Sequence, residues 1–326
     1  MSVITDLYPD FAKQMNSLQL LPGQQIVAAL GGGADSQTIL DLILRYRQQH
    51  PEFSYLAIHL DHYFHPDSPK WADFLRTWCL QKDIDAIVEP LAVPSGTRLS
   101  KEEQGRNARY QRIAELTEDN AVILLGQHRN DQAETFLLQL KRGAGPKGLA
   151  AMASEAPFTG NRRLFRPLLS VTKAQIYEYA QAHGVEWIED DTNTDTTIER
   201  NFLRCEIIPR LTERWPQFLD TVARSAKLCA EQTAMLDELL HEHLAARLED
   251  DGRLHLKGWW QISDIRQRAI LRAWLQFHHA PMPSFAVLSE LTTQIQRSEG
   301  GKQVRVSWGD VEVHRRQKWL VLSHQR

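Results

Sequence analysis

The chain has 326 residues, 42% of them hydrophobic, and its 38 Lys and Arg against 41 Asp and Glu give a formal charge of −3. This length predicts about two domains with cores of their own. The charge excludes a protein that binds DNA through an overall positive field. Three widely separated cysteines, Cys79, Cys205 and Cys229, form neither a disulfide framework nor paired metal ligands, so no structural zinc or iron–sulfur site is expected.

No part of the sequence resembles a targeting or membrane segment. The first residues lack a basic region followed by an apolar run, and no stretch approaches the ~18 uninterrupted apolar residues of a spanning helix. The scattered cysteines also favour a reducing compartment. These features predict a cytoplasmic protein with no membrane partner.

Short apolar runs alternate with helical patterns over the first two hundred residues. The apolar runs predict four buried strands, at residues 26–30, 55–60, 86–91 and 121–126. Helices are predicted at 36–46, at 101–116 and from a capping box at Thr172 and Gln175 to Gly184. This alternation is typical of an α/β fold with a doubly wound, mostly parallel sheet, which binds ligands at the carboxyl ends of its strands.

The pattern changes after about residue 216. Apolar residues at helical spacing predict one long helix over 220–247. The elements predicted beyond it are a short strand at 254–256, helices at 265–277 and from Ser284, and strands at 304–308 and 311–313. We therefore expect a catalytic α/β domain at 1–215, a helical connector at 216–250 and a small α+β domain at 251–326.

A glycine-rich turn follows the first predicted strand and precedes a helix. Its residues are Gly31, Gly32, Gly33, Ala34, Asp35 and Ser36. Backbone N–H groups and a helix N-terminus converge there, which predicts an anion site, most simply for phosphate. A tight turn that binds nothing is the alternative. The turn lacks the ending of a Walker A loop, and Ser36 stands where a dinucleotide fingerprint needs a third glycine.

This turn resembles the pyrophosphate-binding loop (PP-loop) of the N-type ATP pyrophosphatases, whose pattern is Ser-Gly-Gly-x-Asp-Ser. The resemblance implies that the turn binds ATP and that ATP is cleaved between its α and β phosphates. Asp35 is then a candidate ligand for a Mg²⁺ ion that neutralises charge on the leaving pyrophosphate. Gly31 replaces the first serine of the pattern, which removes one hydroxyl contact.

A second polar segment follows the fourth predicted strand and contains His128, Asp131 and Glu134. If a helix begins near Asp131, the two carboxylates share one of its faces. They then point into the same crevice as the glycine turn. This arrangement is consistent with an active site, and a helix cap with a solvated face is the alternative.

Four segments in order resemble the tRNA(Ile)-lysidine synthetase family. They are the glycine turn; Glu102-x-x-Gly-Arg-x-x-Arg-Tyr; Asp131-Gln-x-Glu-Thr with Arg142-Gly-Ala-Gly; and Arg166-Pro-Leu-Leu with Asp191-Thr-Asn-x-Asp and Arg200-Asn-x-x-Arg. The resemblance implies a PP-loop catalytic domain and a tRNA-binding C-terminal domain. It implies ATP and Mg²⁺, L-lysine and an isoleucine tRNA with a CAU anticodon as ligands, with a homodimer as a further possibility and no DNA partner.

The reaction implied is ligation of lysine to C2 of the wobble cytidine through an adenylated cytidine. Asp131 and Glu134 are the candidates for binding lysine and accepting its proton, with His128 as a relay. Arg106 is a candidate for stabilising charge on the α-phosphate. A surface arginine paired with Glu102 is the alternative for Arg106.

The candidate tRNA contacts are basic residues near the site and on the terminal domain. They are Lys141, Arg142, Lys147, Arg166, Arg200, Arg204, Arg315 and Arg316. Solvated charged faces are the alternative for these residues. For Trp259 and Trp260, core packing is favoured over base stacking.

Two departures from the family pattern keep a tRNA-binding function without catalysis open, and another enzyme of the same superfamily is the nearest alternative. Asn130 stands where the family has the first of two aspartates, and Gly31 lacks the family's hydroxyl. The alternatives are another PP-loop tRNA-modifying or amide-forming synthetase, and a tRNA-binding homologue with impaired catalysis.

Overall fold

The computed structural model describes residues 6–61, 65–92, 101–189, 191–298 and 303–324, without the side chains of 101–103 and 191–192. Its elements in chain order are α1 Tyr8–Ser17, β1 Gln25–Leu30, α2 Ala34–Gln49, β2 Ser54–Asp61, α3 Ser68–Gln81, β3 Asp85–Pro90, α4 Lys101–Leu116, β4 Val122–Leu124, α5 Arg129–Lys141, α6 Pro146–Leu149, β5 Glu155–Pro157, β6 Arg163–Phe165, α7 Lys173–Ala182, α8 Glu199–Phe202, α9 Ile208–Arg214, α10 Phe218–Ala245, β7 Leu254–His255, α11 Asp264–Phe277, α12 Phe285–Arg297, β8 Arg305–Trp308, β9 Val311–Arg316 and β10 Trp319–His324. A π-helical turn, Leu203–Ile207, joins α8 to α9.

The chain divides into two compact units, Met1–Leu228 and Cys229–Arg326, with the division inside α10. The three-part division at 215/216 and 250/251 stays a prediction. No helix among the residues described here is both long and apolar enough to cross a membrane.

A six-stranded sheet with the order β3-β2-β1-β4-β6-β5 forms the centre of the first unit. Of the strands described in it, β5 alone runs antiparallel to its neighbour. The predicted doubly wound, mostly parallel sheet is therefore confirmed. Because β1 has β2 on one side and β4 on the other, the order reverses there, and the carboxyl ends of β1 and β4 border the crevice in which such sheets bind ligands.

The predicted elements around this crevice are confirmed, with small shifts at their ends. The four apolar runs are β1 to β4, and the capping box at Thr172 starts α7, where Thr172 and Gln175 bond to each other's backbone. Gly184 follows that helix with φ +62°, a left-handed conformation that favours glycine. The short pair β5 and β6 was not predicted, since three-residue strands carry little periodicity.

The second unit has its own sheet, with the order β7-β10-β9-β8, and the helices α11 and α12. Gly309, with φ +56°, lies in the predicted turn between β8 and β9. Trp259 is fully buried in this core, which confirms its predicted packing. Trp260 is partly exposed and donates a hydrogen bond from Nε1 to the carbonyl of Gln296, 3.3 Å away. Strand β10 was not predicted from the sequence.

Candidate active site

The glycine turn between β1 and α2 is held in shape by its own serine. The hydroxyl of Ser36 accepts a hydrogen bond from the N–H of Gly31 at 3.1 Å and donates to the carbonyl of Gly33 at 3.0 Å. Gly32 has φ +89°, which favours glycine. The first N–H groups of α2 have no partner within the helix and are suited to an anion.

The segment after β4 approaches this turn closely at Gly126. A Cβ atom at Gly126 would lie 2.9 Å from the carbonyl carbon of Asp35 and 3.0 Å from the backbone nitrogen of Ser36. Real Cβ atoms do not come this close to backbone atoms, so the contact requires glycine. Gly126 thus brings the two polar segments predicted from the sequence together.

His128 lies between the two segments and caps α5. Its backbone N–H donates to Oδ2 of Asp131 at 3.0 Å, and its Nδ1 accepts from the backbone N–H of Asp131 at 3.4 Å. On the other side of the ring, Nε2 lies 3.5 Å from Oδ1 of Asp35 and 3.4 Å from Oδ2 of Asp131. The ring is buried. His128 is therefore the cap of α5 and also lies beside the glycine turn, and its catalytic role stays a prediction.

Glu134 is fully buried on α5 and bound by two arginines. Its Oε2 accepts from Nε of Arg200 at 2.7 Å, and its Oε1 accepts from Nε of Arg204 at 2.8 Å. A second nitrogen of Arg204 donates to Oε2 at 3.1 Å. Both oxygens of Glu134 are therefore paired with arginines and screened from water. Its contact with lysine stays a prediction.

Asp131 lies one turn before Glu134 and is closer to solvent, with 13% of its side chain exposed. Its Oδ1 is 3.4 Å from Arg204 and 3.9 Å from Arg200. Burial opposes the charge on Arg204, but the hydrogen bonds to Glu134 and the nearby carboxylates raise the pKa of its guanidinium. Arg200 and Arg204, predicted as tRNA contacts, therefore bind the carboxylates of the site.

Asp35, the acidic residue of the glycine turn, forms an ion pair with Lys173. The ammonium of Lys173 lies 2.8 Å from Oδ1 and 2.7 Å from Oδ2 of Asp35. Lys173 is the first residue of α7, and its backbone N–H donates to Oδ1 of Asn130 at 3.0 Å. Lys173 was not predicted from the sequence, because the capping box marks where α7 begins but not which loop this end of the helix faces.

Asp35 is the predicted Mg²⁺ ligand of this site, and Lys173 is bound to both of its oxygens. Among the residues described, no three His, Cys, Asp or Glu side chains form a metal-binding cluster. Asp35 nevertheless offers one carboxylate beside the turn, and one or two carboxylates with phosphate oxygens and water are a usual ligand set for Mg²⁺. Asp35 is the residue that would hold the ion.

The predicted tRNA contacts of the first unit lie in different environments. Arg166 is buried, and it donates to Oε1 of Gln127 at 2.7 Å and to the carbonyl of Ala153 at 2.9 Å. Burial lowers the pKa of its guanidinium. Arg166 is thus buried against the protein's own chain, and its contact with tRNA stays a prediction.

The other basic residues predicted at this site lie closer to solvent. Lys141 forms an ion pair with Glu199, and both side chains are exposed. Arg142 is exposed at the end of α5, and Lys147 lies in α6 and is also exposed. A tRNA contact of these three residues stays a prediction.

Arg106, the predicted α-phosphate contact, is exposed on α4. The side chain of Glu102, its alternative partner, lies outside the described residues. Contact of Arg106 with the α-phosphate and its pairing with Glu102 both stay predictions.

The two arginines predicted on the second unit differ from each other. Arg315 donates to the carbonyl and the hydroxyl of Ser298 and, at 2.6 Å, to the carbonyl of Gln317. Its guanidinium also lies 5.6 Å from the ring centre of Trp260. Arg315 is therefore engaged within its own unit, whereas Arg316 is exposed at the end of β9.

Comparison with known proteins finds two family models in this chain. The PP-loop domain matches residues 7–211, and the TilS substrate binding domain matches residues 254–321. The first match covers the six-stranded sheet and the site residues of the first unit, and the second covers most of the second unit.

Curated relatives match along almost the whole chain. The tRNA(Ile)-lysidine synthase of Idiomarina loihiensis is 54% identical over 300 residues, which cover 92% of this chain and 67% of that protein. The tRNA(Ile)-lysidine synthase of Escherichia coli O157:H7 is 39% identical over 307 residues, which cover 94% of this chain and 71% of that protein. The chain thus spans about two thirds of the length of these relatives.

A solved structure confirms the fold at much lower identity. The U34-tRNA thiolase NcsA from Methanococcus maripaludis, solved with its [4Fe-4S] cluster, has a TM-score of 0.57 and 15% identity, covering 69% of this chain and 78% of that one. This likeness concerns the fold alone. On the two family models and the relatives together, the chain belongs to the tRNA(Ile)-lysidine synthase family.

Proposed function

We propose that this chain uses ATP to join lysine to C2 of the wobble cytidine in an isoleucine tRNA with a CAU anticodon, giving lysidine, AMP and pyrophosphate. The observation that carries the proposal is the position of His128. Its Nε2 lies 3.5 Å from Asp35 of the glycine turn and 3.4 Å from Asp131 of α5. The glycine turn proposed to bind ATP and the Asp131 carboxylate proposed to bind an amine therefore both lie next to the His128 ring, at the crevice of the sheet.

In the first step, O2 of the cytidine attacks the α-phosphate of ATP, and pyrophosphate leaves. The N–H groups of the glycine turn are suited to stabilise the departing pyrophosphate. A Mg²⁺ ion held by Asp35 would neutralise part of the charge that develops there. The product of this step is a cytidine activated at C2 by an AMP group.

In the second step, the ε-amine of lysine attacks C2, and AMP leaves. The free amine is protonated near neutral pH, with a reference pKa of about 10.4, so the site must first accept its proton. We assign the acceptor role to Asp131, which is near the surface, with His128 as the relay. Glu134 is assigned a positioning role, because Arg200 and Arg204 occupy both of its oxygens.

The two departures from the family pattern are compatible with catalysis. Asn130 accepts a hydrogen bond from the backbone of Lys173, a contact in which the amide oxygen serves as well as a carboxylate. At Gly31, a Cβ would have Ser36 Oγ as its nearest neighbour, 4.0 Å away, and the backbone N–H is kept. Neither departure therefore favours the binding-only alternative.

Substitution of Asp131 tests this assignment. Asp131→Asn keeps an oxygen that can accept from the His128 N–H but removes the charge, so we expect lysine transfer to fall about 100-fold or more. The affinity for tRNA should stay within about twofold, since Asp131 is not a tRNA contact in this scheme. The measurements are single-turnover transfer of labelled lysine and filter binding of the same tRNA. An equal loss of transfer and tRNA affinity would make Asp131 structural.

A further inference from the structure

The ion pair between Lys173 and Asp35 is not explained by the scheme above. The lysine ammonium contacts both carboxylate oxygens, at 2.8 and 2.7 Å, and 30% and 27% of the two side chains are exposed. The pair is thus half-buried and reachable from solvent. Its carboxylate belongs to the glycine turn, where the phosphates of ATP would bind.

The charges of the site balance before any ligand is present. Three carboxylates, Asp35, Asp131 and Glu134, face three cations, Lys173, Arg200 and Arg204. ATP adds several negative charges to this site, and the cation that accompanies it neutralises only part of them. A protein cation that turns from a carboxylate to a phosphate would offset part of the remainder.

Lys173 is the cation best placed for that exchange. The two arginines are fixed by short hydrogen bonds to the fully buried Glu134. The partner of Lys173, in contrast, is the one carboxylate of this site that belongs to the turn and would be drawn to a metal ion. A lysine ammonium is compact and mobile on its long stem, and it binds phosphate as a point charge.

We propose that Lys173 is an ATP-binding residue whose ammonium leaves Asp35 for a phosphate oxygen in the pyrophosphate portion of ATP. This inference rests on the proposed function, because it requires ATP at the glycine turn. In the free protein Asp35 keeps the ammonium beside the turn, and the bond from Lys173 N–H to Asn130 fixes the start of its helix. When nucleotide binds, Asp35 becomes free as a ligand for the cation that accompanies ATP.

The competing explanation is that Lys173 only neutralises Asp35. In that case, removing the lysine charge frees Asp35 for a metal ion, and the affinity for nucleotide stays the same or rises. The two explanations therefore predict opposite effects of one substitution.

The experiment is calorimetric titration of the full chain with α,β-methylene-ATP and Mg²⁺, and separately with AMP. Lys173→Met should weaken binding of the ATP analogue about 10-fold or more. Binding of AMP, which lacks the pyrophosphate portion, should change less than about threefold. Lys173→Arg keeps the charge and should recover most of the affinity.

Lys70→Met provides a matched control. Lys70, in α3, forms a 2.5 Å ion pair with Asp67, the residue before that helix. Both side chains are more exposed than those of the Lys173 pair. Its loss should leave both affinities unchanged. Thermal unfolding of each variant shows that the folded state is kept. Lys173→Gln, which also lacks the charge, replaces Lys173→Met if that variant does not fold, with the same expected loss.

Unchanged or tighter binding of the analogue by Lys173→Met would overturn the inference, and so would an equal loss of analogue and AMP affinity. Failure of the proposed function has a different result. If the wild-type chain transfers no lysine but Lys173→Met still weakens binding of the analogue, only the proposed function is contradicted. If the wild-type chain transfers lysine but Lys173→Met binds the analogue as tightly as the wild type, only this inference is contradicted.

Discussion

Charged residues of the same type have different roles in this site because their partners differ. Asp131 and Glu134 lie three residues apart on α5, and their spacing alone predicts one shared role. The structure separates them, since Glu134 is fully buried between two guanidinium groups and Asp131 is partly exposed beside His128. Depth therefore distinguishes the two carboxylates, because Asp131, with 13% of its side chain exposed, can be reached from solvent and Glu134 cannot.

Loss of the buried charge of Glu134 should destabilise the protein. Glu134→Gln removes the charge that two guanidinium groups share, so we expect the free energy of unfolding to fall by about 1–3 kcal/mol. Lysine transfer should fall as well, because Arg200 and Arg204 lose the group that positions them. Urea denaturation measures the stability and the lysine-transfer assay measures the activity.

Glu199→Gln is the control for that change. Glu199 also pairs with a cation, Lys141, but both side chains are exposed. Its loss should change the free energy of unfolding by less than about 0.5 kcal/mol. A Glu134→Gln variant as stable as this control would refute the positioning role of Glu134.

At the scale of elements, the site depends on two contacts between segments distant in the sequence. One is the hydrogen bond from the first residue of α7 to Asn130 on α5. The other is the close approach of Gly126, after β4, to the start of α2. These contacts place Lys173, His128 and Asp35 together.

The contact of Asn130 with α7 predicts the effect of two substitutions. Asn130→Ala leaves the Lys173 N–H without its acceptor and should lower the free energy of unfolding by about 1 kcal/mol. Asn130→Asp, which restores the family residue, keeps an acceptor near the positive end of α7 and should be at least as stable as the wild type. Chemical denaturation of the three proteins decides this. Equal losses in both variants would show that the amide itself is required.

The approach of Gly126 to the turn predicts a second stability effect. Gly126→Ala puts a Cβ 2.9 Å from the backbone of Asp35, so the turn or the strand must shift. We expect a loss of about 1–3 kcal/mol in the free energy of unfolding and weaker binding of α,β-methylene-ATP. Gly145→Ala is the control, because its Cβ would have no neighbour within 4 Å and its φ is −77°. Equal stability of the two variants would contradict the steric argument.

The sequence predicted those elements whose own residues determine them. The buried runs predicted β1 to β4, and Thr172 and Ser284 predicted the starts of α7 and α12, because apolar periodicity and caps are local. It did not predict β10, nor that Lys173 faces Asp35. It also did not predict that Arg204 binds Glu134, 70 residues away. Such pairs depend on how the sheet brings distant loops together, and no spacing within a single segment encodes this.

At the scale of the whole molecule, the chain combines two units with separate cores. The first contains the sheet and the site residues described above, and the second contains the match to the TilS substrate binding domain. The chain covers 67–71% of the length of the two curated relatives described above.

The most direct test is transfer of radiolabelled lysine to an unmodified isoleucine tRNA transcript with a CAU anticodon, in the presence of ATP and Mg²⁺. A methionine tRNA with the same anticodon and the Asp131→Asn variant serve as controls. The account predicts labelling of the isoleucine tRNA by the wild-type chain, with one AMP and one pyrophosphate formed for each lysine. Binding of this tRNA with no transfer of lysine and no AMP would contradict it and would favour a protein that binds tRNA without catalysis.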